Sequence, residues 1–249
     1  MKNILLKILL CISANCAAQN SDFSNIENFV PGHRSIYLNA ESSTEINPGS
    51  SGENITWDFR NLVFKVKDTA AQQIIKIDET SHKLDYPKAT IAEKNSDGSW
   101  VFIERTENES LVWGVITAQG LEMKYVTPYK FLKKPIKFGE SFTGIAKREY
   151  EVRNTKITGT NNYSTLVDGT GHLVLKDKKY ENVIRLKFIQ EFNDGVGDNA
   201  TKVRIESYVW FDNLHKAAVL KIDNLSVTNK WYNNKSYNIS FLLDEKNLN

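Results

Sequence analysis

Four histidines, His33, His82, His172 and His215, are the residues of this chain best suited to bind a metal or shuttle a proton. No two of them stand in a His-x-His or His-x-x-x-His spacing, which would put two imidazoles on one ion from a single element. A metal centre would have to be assembled across strands with Asp or Glu, and scattered surface or loop histidines are the simpler reading. A serine hydrolase would show Gly-x-Ser-x-Gly, which does not occur. Ser50 and Ser51 lie between Gly49 and Gly52, in a loop with nothing to mark them catalytic. Paired carboxylates serve glycoside hydrolysis, but Asp and Glu are plentiful here and sequence alone does not pair them. Asp58, between Trp57 and Phe59, is the first to examine. Strand alternation turns it away from those aromatics, where it reads as a turn cap or surface hydrogen-bonding group.

Asp168-Gly169-Thr170-Gly171 has the composition of a phosphate cradle. A cradle needs a helix after it, so that its amides face the anion. The next residues, His172–Leu175, are strand-like, and the glycines read as a turn or β-bulge. Trp100, Trp113, Trp210 and Trp231, with Tyr125, Tyr208 and Tyr232, offer either a sugar-stacking platform or a core. On alternating strands their large apolar area favours core. Arg185 stands between Ile184 and Leu186, where it either pairs with a carboxylate, lines a cavity or points outward as an ordinary Arg. No catalytic, cofactor-binding or metal-ligating residue is assigned from these patterns. No cofactor is expected, and the ligand-binding residues stay unassigned.

The elements that must carry these residues read as strands. Thr, Val, Ile and aromatics are frequent, and Asn clusters with Gly, Asp and Ser at turns. Ser21–Val30 is the one short helix expected, capped by Ser21 and stopped by Pro31-Gly32. Ser35–Leu38 is a first strand, and Asn47–Gly52 a loop. In Asn54–Phe59, Ile55, Trp57 and Phe59 alternate with Asn54, Thr56 and Asp58, the pattern of a half-buried strand. Leu62, Phe64 and Val66 continue that period, followed by Gln73–Ile77. Ala89–Glu93 and Trp100–Arg105 flank an Asp97-Gly98 hairpin turn. Leu111–Thr117 pairs with Leu121–Val126, and Phe142–Tyr150 precedes Val152–Thr158. Tyr163–Asp168, His172–Leu175, Val183–Phe192, Val203–Phe211, Ala217–Ile222 and Ile239–Leu243 complete the set. The expected fold is all-β: an antiparallel, strongly curved sheet, as a partly open barrel or a sandwich, with that one N-terminal helix.

The first residues, MKNILLKILLCISANCAAQN, read as an export leader. Lys2 and Lys7 supply a positive start, Ile8–Ile12 a short apolar run, and Cys16 and Ala18 small residues at a cleavage site after Ala18. The run is too short to span a bilayer, which needs about 20 residues. A lipoprotein reading, with Cys16 acylated, is the lesser alternative, because Asn15 fits a lipobox poorly. Cys11 and Cys16 are the two cysteines of the chain, so residues 19–249 form a single thiol-free, disulfide-free domain large enough to be held by its core. Removing Lys2 and Lys7 leaves 30 basic against 30 acidic residues. That neutrality speaks against a nucleic-acid partner, which needs a basic face. No segment after the leader is apolar enough for a transmembrane helix.

Several segments carry a resemblance. The chain has Gly52-Glu53-Asn54-Ile55-Thr56-Trp57-Asp58-Phe59, then Pro135-Ile136-Lys137-Phe138-Gly139-Glu140-Ser141-Phe142. Asp168–Leu175 (DGTGHLVL) is followed by Tyr180–Lys187 (YENVIRLK), then Tyr208–Phe211 (YVWF) and Val219–Ile222 (VLKI). In order and spacing these resemble an uncharacterised β-rich region of secreted Bacteroidetes proteins, often found upstream of type IX secretion sorting domains. The resemblance covers most of the chain after the leader and implies no activity. It departs at Lys176–Lys179, where relatives often show a Pro-Gly turn. No sorting domain follows before Asn249, which favours the periplasm over the cell surface. Asp68-Thr69-Ala70 resembles the O-glycosylation sequon of the same bacteria, and would place Thr69 on an exposed loop.

The function expected is that of an exported, non-catalytic binding or interaction module of the cell envelope, periplasmic or extracellular. Its partner would be a small apolar ligand or an envelope protein, and a carrier role suits a closed β structure able to hold one ligand. The alternative is an envelope hydrolase acting on glycans or peptides. An enzyme would bring titratable groups together in a cleft, a carrier would show an apolar cavity, and a structural component a large exposed apolar patch.

Overall fold

The computed structural model describes residues 23–27, 29–195 and 200–248. The expected leader, residues 1–18 with both cysteines, lies outside the described residues. So do Ser21, Asp22 and Asn28 of the expected helix, while residues 24–27 of that segment form a turn. Thirteen strands follow: β1 (His33–Ser42), β2 (Gly52–Asp58), β3 (Lys65–Lys76), β4 (Ile91–Asn95), β5 (Trp100–Arg105), β6 (Glu109–Ile116), β7 (Glu122–Lys133), β8 (Ser141–Val152), β9 (Thr155–Val174), β10 (Lys179–Asp194), β11 (Thr201–Asp212), β12 (Leu220–Asn229) and β13 (Tyr232–Asn247). One 3-10 turn, Ile77–Glu79, is the helical element among the described residues.

The fold is all-β, as expected, and the open choice between barrel and sandwich resolves to a closed barrel. β1 and β3–β13 are successive antiparallel neighbours, and β13 returns to pair with β1, so twelve strands form an up-and-down barrel. β2 is the thirteenth. β8 covers one edge of β9 as far as Leu166, and β2 then takes over that edge in parallel, from Gly52 beside Gly169 to Asp58 beside Val174. Gly171 permits this approach: its φ is +152°, and a Cβ there would lie 1.8 Å from the Ile55 carbonyl oxygen. Asp168–Gly171 is thus a bulged strand, not a phosphate loop, and the segments expected as two strands around it are one β9.

Register fixes which side chains share a face. On β4–β8 one face carries Glu93, Val101, Val115, Met123 and Tyr150, each the register partner of the next. Carried on through β9 and β10, the same face holds Phe188, Ser207, Asp223 and Asn238. This face is the lumen, as the turn at residues 23–27 demonstrates. Ile26 packs with Ile184, Leu186 and Phe211 of β10 and β11, while Glu27 reaches Arg105 of β5 on the far side of the wall. That segment therefore crosses and closes the lower mouth of the barrel.

The outer face is covered in two places. Residues 77–90 lay Ile77, Tyr86 and Ala89 over Ala92 and Phe102, with Tyr86 and Phe102 stacked at 3.7 Å. The crossover from β1 to β3 lays Trp57 and Phe59 edge-on against Trp210, at 6.1 and 5.4 Å. On β8 and β9 the outer wall is exposed and mostly polar, with Lys147, Lys156, Thr158 and Asn162 beside Ile145 and Leu166.

Candidate functional site

The lumen has two unlike sides. Its β3–β6 side is mainly aliphatic, lined by Ile74, Ile91, Val101, Ile103, Val112 and Val115 around one polar group, Glu93 with Gln72 and Asn95. Its β9–β13 side is mixed: Asn161, Thr165, Gln190, Ser207, Asp223 and Ser240 share the inward face with Phe188, Val209 and Phe211. Tyr125, Tyr129 and Tyr163 stand where the two meet, the last two edge to face at 4.9 Å.

The deepest charges show that this space is not packed solid. Lys221 points into the closed barrel by its register with Val209, within the field of Glu93 from β4, yet 45% of its side chain stays accessible. Its partner Asp223, 3.0 Å away, is 20% accessible. A side chain can be enclosed and accessible at once only if it borders an internal or open-mouthed void. The Lys221 pKa is held up, chiefly by the Asp223 charge and against burial. Asp223 also accepts a hydrogen bond from the Ser207 hydroxyl. Glu93 has amide partners in place of a cation: Gln72 Nε2 donates at 2.7 Å and Asn95 Nδ2 at 3.5 Å. Burial pushes its pKa up despite them.

At the lower mouth, Glu27 stands 3.7 Å from Arg105, which also donates to the Phe29 carbonyl at 3.1 Å. Burial outweighs that cation and raises the Glu27 pKa to about 7. At the upper end, Arg148 and Asp194 form an ion pair across β9. The lumen charges are therefore largely matched among themselves.

Two inward side chains of β9 are not matched. Asn161, fully buried, faces the Tyr125 hydroxyl, but neither of its polar atoms makes a hydrogen bond of acceptable geometry among the described residues. Thr165, 2% exposed, has an unpartnered hydroxyl. Buried polar atoms are nearly always paired, so such exceptions call for a partner such as ligand or water.

The residues singled out by type do not converge. His33 bonds Ser35 and Asn247 below the lumen, and burial lowers its pKa. His82 lies against Trp100 and Phe102, His172 pairs with Glu181, and His215 with Asp212. No group of three metal-ligating side chains occurs among the described residues. Asp58 caps the following turn and grips Arg60, whose hydrogen bonds lower its pKa to about 2. Ser50 is exposed in the crossover and uses its carbonyl, not its hydroxyl, to accept from Trp57 Nε1 at 3.0 Å. Thr69 is exposed as the sequon requires, but on β3 and not on a loop. The aromatics form no shared platform: Trp210 is fully buried outside the lumen, Trp100 and Trp113 lie over β4–β6, and Trp231 is 82% exposed at the β12–β13 turn.

Arg185 is the candidate with the most definite environment. It is 1% exposed, pinned between the wall and the crossover. It forks onto Asp168 at 2.7 and 3.0 Å, and donates to the carbonyls of Pro48, Gly49 and Ser50 at 2.5, 3.3 and 3.0 Å. Trp57, Tyr208 and Trp210 surround the guanidinium at 4.9–5.5 Å. All five of its donors are thereby used, so it locks the crossover to the barrel and is not presented to a ligand. Comparison with protein-family models, curated proteins and solved structures finds no match to this chain.

Proposed function

We propose that this chain is a non-catalytic binding protein of the cell envelope whose barrel lumen holds one small ligand. The accessibility of the enclosed Lys221–Asp223 pair carries the reading, because it marks a void in the middle of the barrel. A barrel of twelve strands is wider than the eight that just enclose one small ligand. The outer faces of β8 and β9 are mostly polar, Ile145 and Leu166 apart, and suit water, whereas a membrane barrel turns a continuous apolar band outward. Location in the envelope rests on the composition of residues 1–18. The rival hydrolase reading has less support: the inward carboxylates Asp223, Glu27, Asp194 and Glu93 are tied to Lys221, Arg105, Arg148 and amides in turn.

The test is the mass of the leaderless protein, isolated from an envelope and recorded under native and denaturing conditions. A small-molecule mass present only in the native spectrum is expected. A bare chain that also gains no mass when incubated with an envelope extract would overturn the proposal.

A further inference from the structure

Resting on the lumen reading, we infer that the ligand is an uncharged amphiphile, with hydroxyl or amide groups along one edge and hydrocarbon along the other. Three observations lead there. First, the charged side chains facing the void already have partners: Lys221 has Asp223, Arg148 has Asp194, Arg105 has Glu27, and the Glu93 carboxyl accepts from the Gln72 and Asn95 amides. An ionic headgroup would have to break one of these pairs, and an unpaired charge in such a site costs far more than an unmade neutral hydrogen bond.

Second, apart from Nε of Arg105, whose guanidinium is otherwise held by Glu27 and the Phe29 carbonyl, what the lumen leaves unmet is neutral. Asn161 offers an amide with both donor and acceptor free, and Thr165 a hydroxyl. Both sit on the inward face of β9, about 13 Å apart at the rise of a strand. Tyr163 lies between them, with Gln190 of β10 as its register partner. A ligand satisfying both must run along β9 and carry more than one hydrogen-bonding group. Third, the facing side, from Ile74 to Val115, is mainly aliphatic, and its polar groups Glu93, Gln72 and Asn95 are already paired with one another, so it best covers hydrocarbon. An apolar ligand alone would leave Asn161 and Thr165 unpaired, and a fully hydrophilic one would be desolvated against that aliphatic side for no return.

The test uses three probes of one chain length: octyl glucoside below its micellar concentration, octanoate and octylammonium. Binding to the leaderless protein is measured by calorimetry. Octyl glucoside is expected to bind at least about tenfold tighter than either ion. The double variant Asn161→Leu, Thr165→Val is expected to weaken octyl glucoside about tenfold, the scale of one or two neutral hydrogen bonds. It should leave octanoate and octylammonium unchanged. Its melting temperature is expected to be no lower than that of the parent, because it removes unpaired polar groups; should it fail to fold, the isosteric Thr165→Val alone carries the test. Equal or tighter binding of an ion, or full binding by the variant, overturns the inference. A charged small molecule in the native spectrum, with no glucoside binding, would remove this inference and leave the lumen reading standing. No bound mass and no probe binding would remove both.

Discussion

Replacing Arg185 by Met tests how the crossover is held. The substitution keeps an unbranched side chain against Trp57, Tyr208 and Trp210 but deletes every donor. Asp168, 7% exposed, is then a buried carboxylate without its cation, and three carbonyls of residues 48–50 lose their partners. Breaking one side of a buried, hydrogen-bonded ion pair costs about 3–5 kcal/mol. For a domain of this size that is a fall in melting temperature of roughly 10 °C. Lys should rescue little, since an ammonium cannot fork onto Asp168 and reach the carbonyls as well. Adding Asp168→Leu to Arg185→Met should recover part of the loss, because no uncompensated charge remains. Urea denaturation gives the free energies, and limited proteolysis reports whether residues 43–64 have come loose. A loss below about 1 kcal/mol for Arg185→Met, or a double variant that is simply the sum of the singles, would refute this account of the lock.

Three further outcomes are expected. The Glu27 pKa of about 7 in the folded chain lies above its ordinary 4.5, so its contribution to stability is fully present below 4.5 and lost as pH rises through 7. The swing is roughly 3 kcal/mol at 1.4 kcal/mol per pKa unit, and Glu27→Gln should flatten the urea midpoint across that window. Gly171→Ala places a methyl on the Ile55 backbone and should cost at least about 2 kcal/mol, with β2 and the crossover becoming the first site of proteolytic cutting. Gly144→Ala puts a Cβ 2.3 Å from the Tyr163 hydroxyl, so the ring must swing into the lumen; ligand affinity should fall more than stability.

The strands legible in the sequence are those with one apolar and one polar face. Asn54–Phe59, Val183–Phe192 and Val203–Phe211 fall in β2, β10 and β11, because each presses an apolar face on the core. β12 and β13 run much further than Ala217–Ile222 and Ile239–Leu243 suggested. Their extensions are dominated by polar residues: Leu225 and Val227 are the aliphatic side chains of Asp223–Asn229, and Tyr232–Asn238 has none, so the apolar signal is weak. A break expected at Glu151 lies instead at Arg153-Asn154, whose φ values of 50° and 61° make the tight turn with two non-glycine residues. Arg185 stood out through its apolar neighbours, but its partners at residues 48–50 are remote in sequence. Asn161 and Thr165 gave no signal, because an orphaned polar group looks in sequence like any polar residue of a strand.

The most direct test of the lumen is the reactivity of Lys221. A small amine reagent, such as acetic anhydride, should modify Lys221 in protein stripped of bound molecules by denaturation and refolding. A bulky sulfonated succinimidyl ester should not reach it, and protein as isolated should be protected. Modification of Lys221 by both reagents at equal rates, or by neither in any preparation, would contradict a ligand-holding lumen.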